Sequence, residues 1–199
     1  MAVLKLKSGS TRCRHWLRHL GAGLLGLALA GLSAPAVRAE TALSAEYQLK
    51  AVFLFNFAQF VEWPAQAFPD PKAPLVIGVL GKDPFGPYLD DLVSGEKIGD
   101  RALVIRRYSR PEDLAGCHIL FISRSEARNL ETIVARLKEQ SVLTVSDADT
   151  FTRQGGMVRF VMENGKIRLR INVDAAKSGH LSISSKVLRP DTLATPGKD

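Results

Sequence analysis

The amino-acid sequence predicts a three-layer α/β domain with a mixed, mostly parallel β-sheet and a C-terminal antiparallel hairpin. Three observations support this fold class: short apolar runs rich in β-branched residues, a helical repeat between two of these runs, and an Asn-Gly turn near the end of the chain. Short apolar runs bounded by polar or turn-forming residues are typical of strands buried on both faces. Helices must then cover both faces of the sheet, which gives three layers.

Buried strands are predicted at four places along the chain. The runs are Leu75–Leu80, Leu103–Ile105, Ile119–Ile122 and Val142–Val145. Between the last two runs, residues Ser125–Gln140 carry apolar side chains at helical spacing, which predicts a helix. A strand, a helix and a strand of these lengths form a right-handed crossover, so we expect parallel strands here.

The end of the chain predicts an antiparallel hairpin instead. Met157–Met162 and Lys166–Val173 flank Asn164-Gly165, and Asn-Gly is a strong signal for a two-residue hairpin turn. All residues of the expected inward pairs are apolar, so the register is consistent with one buried face. A short helix is expected near Ala175. The register pairs Val158 with Ile171, Phe160 with Leu169 and Met162 with Ile167, and it places Arg159 opposite Arg170 on the polar face.

The facing arginines leave two interpretations open. Like charges opposite each other in a hairpin are unfavourable by a few tenths to about 1 kcal/mol. Either Arg159 and Arg170 splay apart into solvent, or they form a small basic patch for an acidic partner or an anion.

The first 39 residues have the features of an export signal and not of a folded element. They contain no Asp or Glu, they begin with a basic segment, and an apolar run of 13 residues follows from Leu20 to Leu32. This pattern is that of a secretory signal peptide, and the small residues after it place cleavage after Ala39 or Ala36. The apolar run is too short to cross a hydrocarbon core about 30 Å thick as a helix. We therefore expect an exported protein with a single domain over residues 40–189 and a flexible tail at 190–199.

Removal of this signal changes the charge of the chain. Residues 1–39 hold six of the 27 Lys and Arg residues, so the rest of the chain has 21 basic and 20 acidic residues. The formal charge falls from +7 to near +1, which gives no support for nucleic-acid binding. Cys13 is removed with the signal and Cys117 remains, so no disulfide can form within the exported chain.

A strongly apolar helix is predicted at Ala45–Val61. It ends before Trp63-Pro64, because a residue that precedes proline disfavours the helical region. The apolar residues form two stripes, which is more than one buried face needs. Either the helix is enclosed within its own domain, or one stripe is a dimer or partner surface, since an exposed Leu or Phe forgoes about 1.5–3 kcal/mol. The aromatic residues of this segment are our candidates for partner binding: Phe53, Phe55, Phe57, Phe60 and Trp63.

A second candidate site follows the first predicted strand. Residues 78–86 lie at the carboxyl end of that strand, where open α/β sheets bind ligands. Their spacing matches neither a dinucleotide-binding loop nor a Walker loop. One interpretation is structural, with Asp83 as a helix N-cap and Pro84 in the first helical turn. The other is a small-ligand or effector loop formed by Gly81, Asp83, Pro84 and Phe85.

No residue pattern in the sequence nominates an enzyme. Common nucleophile and zinc motifs do not occur, and His118 and His180 have no partners at metal-ligand spacing, so we expect neither a metal nor a cofactor. Asp147 and Asp149 are interpreted as a helix cap and not as an acid–base pair. Cys117 is either a small buried apolar residue or a redox thiol that pairs with another chain.

Several short motifs follow one another in a specific order along the chain. The motifs are Lys50–Phe53, Asn56–Pro64, Ile77–Gly86, Cys117–Ser123, Val142–Asp147, Phe151, Gly155–Val158, Ile171–Asn172 and Ile183–Leu188. Each motif is weak by itself, but their order and spacing together are specific, and together they resemble the YfiR family of periplasmic proteins. The resemblance covers about residues 45–189, which is nearly all of the chain after the export signal.

The resemblance implies a periplasmic regulator and not a catalyst. The best-known members repress an inner-membrane diguanylate cyclase through its periplasmic sensor domain, which lowers cyclic di-GMP and biofilm formation. The resemblance also implies a homodimer and an outer-membrane OmpA-like lipoprotein that sequesters the repressor. The best-known type carries disulfides tied to redox control, whereas this chain retains only Cys117, which matches a family cysteine position. The alternative function is that of a periplasmic small-solute receptor. A typical receptor of this kind binds its solute between two lobes, and the exported chain is long enough for only one, so it would be a single-lobe receptor.

Overall fold

The structure is a computed structural model that describes the backbone of residues 34–187 and the side chains of residues 45–187. The basic segment and the apolar run of the expected export signal lie outside the described residues, as does the expected tail at 190–199. The chain divides into two compact units, residues 1–43 and 44–199. The sheet and the side-chain contacts described below belong to the second unit.

The described part of the chain forms four α-helices and nine strands. The α-helices are α1 (Ala34–Phe60), α2 (Pro87–Val93), α3 (Leu130–Leu137) and α4 (Val173–Ser178). The strands are β1 (Val61–Glu62), β2 (Leu75–Leu80), β3 (Lys97–Ile98), β4 (Arg101–Tyr108), β5 (Ile119–Ile122), β6 (Leu143–Ser146), β7 (Val158–Glu163), β8 (Lys166–Ile171) and β9 (Ser182–Ile183).

Seven of these strands form one mixed sheet in the order β3-β4-β2-β5-β6-β7-β8. The five inner strands, from β4 to β7, are parallel to one another, and β3 and β8 are antiparallel edge strands. Strands β2, β5 and β6 are buried along their whole length, as expected for the centre of a sheet covered on both faces. The predicted α/β fold class is confirmed.

Helices cover the two faces of the sheet unequally. Helices α1, α2 and α4 pack on one face, where Leu54 and Phe57 of α1 join the core formed by Ile77 and Phe121. Helix α3 covers the other face, with Ile133 among the residues buried against it. The result is the three-layer arrangement that the apolar patterns predicted.

Helix α1 differs from its prediction at both ends. It begins at Ala34 rather than Ala45, because residues 34–44 contain several alanines and little that opposes a helix, although they carry no apolar stripe. It ends at Phe60, since Val61 and Glu62 leave the helix to form β1, which pairs with β9 in a separate two-stranded sheet. This pairing joins residues more than a hundred positions apart, and neither strand is long enough to leave a sequence pattern.

The hairpin of β7 and β8 has the predicted register. Val158 pairs with Ile171, and Arg159 lies opposite Arg170. Asn164 and Gly165 both have positive φ, 51° and 71°, as a two-residue turn between twisted strands requires.

The two facing arginines do not behave as a splayed pair. Arg159 is buried and its Nη2 donates to Asp149 Oδ1 at 2.5 Å, so of the two interpretations the one in which both arginines splay into solvent is wrong. Arg170 turns the other way and donates to Glu163. The like charges are tolerated because each arginine has a carboxylate of its own.

Candidate functional site

The carboxyl ends of β2, β5 and β6 meet beneath the part of α1 that contains Tyr47 and Lys50. The first strand of the parallel sheet along the chain is β2. The next parallel strand, β4, lies on one side of β2, and the one after it, β5, lies on the other side, so the strand order reverses at β2. Such a reversal of strand order opens a crevice between two carboxyl ends, and open α/β sheets bind ligands there. The crevice lies between the loop after β2 and the loop after β5.

These two loops are in close contact at Gly81. A Cβ atom at this position would lie 2.4 Å from Ser125 Oγ, and Gly81 has a positive φ of 87°. The neighbouring Lys82 N–H donates to Ser125 Oγ at 2.9 Å. Glycine at position 81 is therefore explained by backbone geometry and loop contact.

Asp83 stabilises the loop after β2 through hydrogen bonds but does not cap a helix. Its Oδ1 accepts the Phe85 N–H at 2.8 Å, and its Oδ2 accepts Arg107 Nε at 2.7 Å. Helix α2 begins only at Pro87, after Gly86 with a positive φ of 57°, so the prediction of a cap at Asp83 with Pro84 in the first helical turn is wrong.

Arg107 joins the loop to the start of α2. Besides Asp83, it contacts both carboxylate oxygens of Asp90, at 2.9 and 2.5 Å, and donates to the Gly86 carbonyl. The hydrogen bonds from Arg107 lower the pKa of the Asp90 carboxyl group below its ordinary value. Because Arg107 and Asp90 are largely exposed, this network positions the loop more than it stabilises the fold.

Phe85 connects the loop to α1. Its side chain is 7% exposed and lies edge-on against Tyr47, with ring centroids 5.7 Å apart, and against Phe121 at 4.8 Å. The two candidate sites from the sequence, the aromatic helix and the loop, are thus brought together by Tyr47. Phe85 itself fills part of the crevice.

A buried ion pair that the sequence analysis missed lies beside this contact. Lys50 is 2% exposed and Asp147, directly after β6, is 1% exposed, and Lys50 Nζ lies 2.5 Å from Asp147 Oδ2. Lys50 Nζ also lies 2.5 Å from Glu46 Oε1 one helical turn away and 4.2 Å from the Tyr47 ring centroid. We call these four residues the buried charge cluster.

The Asp147 carboxylate also interacts with the Tyr47 hydroxyl and with Arg124. The Tyr47 hydroxyl donates to Asp147 Oδ2 at 2.8 Å, and Arg124 Nε lies 3.4 Å from Asp147 Oδ1. Burial, followed by the hydrogen bond to Asp147, raises the pKa of Tyr47 well above its ordinary value. Residues 148–155 form turns and not a helix, so the interpretation of Asp147 as a helix cap is wrong. A lysine between the two apolar stripes of the helix was the signal that could have revealed this cluster.

The aromatic residues of α1 are divided between the core and the surface. Phe57 is 2% exposed and, like the half-buried Phe53, packs against Phe160 of β7. Phe55 and Phe60 are also half-buried. The inner stripe of the helix is buried within its own domain and consists of Ala51, Leu54, Phe57 and Ala58.

Exposed apolar side chains remain on the side of the sheet that α1 covers, near the contact of Phe53 with Phe160. Leu49 and Met162 are the large apolar side chains with the greatest exposure among the described residues, 48% and 47%. Leu49 lies one helical turn before Phe53, and Met162 lies two residues beyond Phe160 on the same face of β7. We call Leu49, Phe53 and Met162 the outer patch.

Cys117 lies far from this patch in a packed environment. It is 5% exposed, and its Sγ donates to the Ile119 carbonyl at 3.2 Å. Burial raises the pKa of the thiol to about 12. A thiol in this state is a poor nucleophile, which favours the interpretation as a small buried apolar residue.

Among the residues whose side chains the structure describes, no three or more His, Cys, Asp or Glu group so that they could hold a metal ion. No helix in this part of the chain is long and apolar enough to cross a membrane.

The fold and its surfaces define an α/β domain in which Phe85 packs between Tyr47 and Phe121 at the expected ligand crevice, and whose outer patch is apolar. Comparison with known families identifies it further: the chain belongs to the YfiR/HmsC-like family, whose model matches residues 47–190. This is a family of periplasmic regulators of diguanylate cyclases, and its role in cyclic di-GMP signalling is regulatory and not catalytic. No curated protein matches the chain.

Proposed function

We propose that this protein is exported to the periplasm, with its signal cleaved after Ala39 or Ala36, and inhibits a membrane diguanylate cyclase. It would bind the periplasmic sensor domain of the cyclase and so lower cyclic di-GMP and biofilm formation. The observation that carries the proposal is the family match, which covers residues 47–190. The resemblance of the motifs along residues 45–189 supports the same function.

The outer patch is the surface that we assign to the partner. An exposed apolar group on a folded domain marks a binding surface when several such side chains are contiguous. Phe53, Phe55, Phe60 and Trp63 are accessible in part, while Phe57 supports Phe53 from the core side. Inhibition then requires that the protein bind the inactive cyclase more tightly than the active one, since a ligand shifts an equilibrium only by its differential affinity.

Two further partners belong to the same proposal. A homodimer would cover part of the apolar surface, and an OmpA-like lipoprotein of the outer membrane would compete with the cyclase for the repressor. Both follow from the family resemblance.

The first experiment measures intracellular cyclic di-GMP in a deletion strain. The strain is complemented with the full chain or with residues 40–199, which lack the export signal. We expect cyclic di-GMP to rise on deletion and to return to the wild-type level only with the full chain. Unchanged cyclic di-GMP on deletion would contradict the proposed function.

A substitution in the outer patch tests the surface. Leu49→Asp is expected to weaken binding to the purified sensor domain of the cyclase at least tenfold, because a charge replaces an apolar contact at the interface. The unfolding midpoint in urea should change little, since Leu49 is 48% exposed. Binding is measured by titration calorimetry.

Gln59→Asp is the matched control for this test. Gln59 is exposed on the same helix and outside the outer patch, so the substitution adds the same charge without removing an apolar side chain. Wild-type affinity in both variants would exclude the outer patch as the binding surface.

One observation favours the small-solute receptor as a second candidate. A half-open pocket of about 260 Å³ is lined by residues of α3 and α4 and by Thr144 of β6; Leu137 and Met157 are among its apolar residues, and Lys138 and Asp174 are its charged ones. A solute that binds there would raise the melting temperature of the isolated protein in proportion to its concentration and affinity. A screen of small zwitterionic solutes that gives no thermal shift would remove this candidate.

A further inference from the structure

The ring of His118 is enclosed at the amino end of the central strands. The buried charge cluster lies at their carboxyl end. His118 is 3% exposed and immediately precedes β5. The segment that leads from β1 to β2, residues 63–74, folds over it. This segment contains Trp63, one of the candidate partner-binding residues.

Both ring nitrogens of His118 are engaged with backbone groups. Nδ1 accepts the Val76 N–H at 3.1 Å, and Nε2 lies 3.2 Å from the Ala67 carbonyl oxygen. An acceptor at Nδ1 must be unprotonated, so the proton of the neutral ring is on Nε2 and is donated to Ala67. This arrangement exists only in the neutral imidazole.

The segment over the ring is held by His118 and by Arg101, whose Nη1 donates to the Asp70 and Ala73 carbonyls at 3.0 and 2.7 Å. The Phe68 ring stacks on the imidazole, with centroids 4.4 Å apart and planes inclined by 19°. Trp63 lies edge-on at 6.4 Å, and its Nε1 donates to the His118 carbonyl at 3.2 Å. Arg101 covers the far face of the stack, 3.6 Å from the Phe68 centroid.

The charged groups near the ring oppose its protonation. Strands β2 and β6 contain no ionisable residue, and Arg101 and Arg106 of β4 are the charges that act on the imidazole. The covering segment carries Asp70 and Lys72, both exposed. Cys117, the neighbour of His118 in the chain, is a neutral thiol. Burial lowers the pKa of His118 most. The hydrogen bond to the Ala67 carbonyl raises it, but burial together with the two arginines keeps the pKa below its ordinary value of 6.5.

We propose that His118 is an acid-sensitive clamp on the segment that joins β1 to β2. Protonation of Nδ1 brings a second N–H donor against the Val76 N–H, so this hydrogen bond is lost and the ring must move. Phe68 and Trp63 then lose the surface on which they pack, and the segment at 63–68 is released. Acid in the surroundings would thereby alter a surface next to the C-terminal end of α1.

Tryptophan fluorescence provides the test. The sequence contains two tryptophans, Trp16 and Trp63, so the Trp16→Phe chain reports on Trp63 alone. We expect, in protein purified from the periplasm, a reversible red shift and stronger acrylamide quenching as the pH falls from 7 to about 4.5. The midpoint should lie below 6.5, and the far-ultraviolet circular dichroism should persist through the transition.

Two substitutions, each made in the Trp16→Phe chain, test whether His118 causes the fluorescence transition. His118→Asn retains an acceptor for Val76 but does not titrate, so the fluorescence transition should disappear. His180→Asn is the matched control, because His180 is exposed and its positive φ of 57° suits Asn, and the transition should remain. A transition that persists in His118→Asn would overturn the proposal.

A second measurement needs no variant at His118 and covers the case in which His118→Asn does not fold. Hydrogen exchange by NMR compares the Val76 amide with the Leu143 amide, which donates to the His118 carbonyl at 2.8 Å. We expect the protection of Val76 to fall at least tenfold relative to that of Leu143 below the transition. Equal changes at both amides would contradict a local clamp.

The effect on a partner rests on the proposed function, whereas the fluorescence and exchange readouts do not. If the clamp is observed and cyclic di-GMP does not respond to deletion, the proposed function alone fails. If cyclic di-GMP responds and Trp63 shows no transition, the clamp alone fails.

Discussion

Lys50 shows how one buried charge can be accommodated in an apolar helix. An isolated ammonium group in the core would be very unfavourable, and a lysine is almost never fully buried unless it is paired. Here Asp147 and Glu46 both lie 2.5 Å from Nζ, and the Tyr47 ring covers it. The pair also connects α1 to the end of β6, so it aligns the helix on the sheet.

Removal of both members of this pair should cost less than the two single removals added together. Lys50→Met leaves the Asp147 carboxylate buried beside Tyr47 with only Arg124 as a cation, and we expect a loss of about 3 kcal/mol in the free energy of unfolding. The double variant Lys50→Met with Asp147→Leu should lose less than the sum of the two single variants. Urea denaturation followed by circular dichroism measures all three.

The matched control for Lys50 is Lys82→Met. Lys82 is exposed, so its replacement should change the free energy of unfolding by less than about 0.5 kcal/mol. Additive losses in the double variant would show that Lys50 and Asp147 are not coupled.

At the scale of elements, β2 is an inner strand that links the two halves of the parallel sheet. It pairs with β4 on one side and with β5 on the other. Gly78 lies in its centre, where a side chain would normally be favoured. A Cβ atom there would lie 2.7 Å from both Cys117 Sγ and Tyr108 Cε2, so these two side chains occupy the space that the glycine leaves.

Gly78→Ala should therefore destabilise the protein by overpacking. We expect a loss of about 1–3 kcal/mol in the free energy of unfolding, measured in urea. Adding Cys117→Ala removes one of the two close contacts and should recover part of the loss. No recovery would show that Tyr108 or the backbone, and not the thiol, limits the space.

Gly165→Ala separates steric crowding from backbone strain. Gly165 has a positive φ of 71°, and no atom lies within 4 Å of a Cβ built there. Gly165→Ala is expected to lower the free energy of unfolding by about 1 kcal/mol, because Ala disfavours the left-handed conformation. Adding Cys117→Ala should not change this loss.

At the scale of the whole molecule, four groups with shifted pKa values define a pH window of stability. His118 and Asp90 have lowered pKa values, so their contributions are lost as the pH falls, below about 6.5 for His118 and below about 3.8 for Asp90. Cys117 and Tyr47 have raised pKa values, so the unfolded chain loses their protons first as the pH rises above 9 to 10. Acid and alkali therefore both favour unfolding.

We expect the urea midpoint to be highest between about pH 6.5 and pH 8.5 and to fall on both sides of this range. The acid decline should begin at a lower pH in His118→Asn, because this variant lacks the imidazole that takes up a proton on unfolding. Urea titrations at one-unit intervals of pH measure the profile. A midpoint that rises steadily from pH 7 to pH 5 would contradict the assignment.

Local patterns predicted the elements of this molecule well. The limits of β2 and β5 match the predicted runs Leu75–Leu80 and Ile119–Ile122, because a buried strand needs an unbroken apolar run. The helix predicted at Ser125–Gln140 is shorter, since a 3-10 turn at Arg124–Glu126 precedes α3. The register of the hairpin also followed from the sequence, since a two-residue turn leaves no freedom in the pairing.

Candidate site residues were harder to predict, because their roles depend on distant partners. Asp83 and Asp147 resemble helix caps when only their neighbours in the chain are considered. Asp83 instead binds Arg107 on β4, and Asp147 binds Lys50 on α1, 97 positions earlier. Local sequence cannot distinguish a capping carboxylate from one that pairs across the fold.

The sequence by itself determined the α/β class, the parallel centre of the sheet and the hairpin register, and its motifs resembled the family to which the chain belongs. These properties depend on the runs and spacing of apolar residues and on turn chemistry, which act over a few neighbouring positions. Tertiary structure alone decided that α1 buries its inner stripe and exposes Leu49, that Lys50 pairs with Asp147, and that His118 must be neutral. The physical reason is that burial and charge pairing depend on which surfaces meet, and the strands and helices meet only when the whole chain has folded.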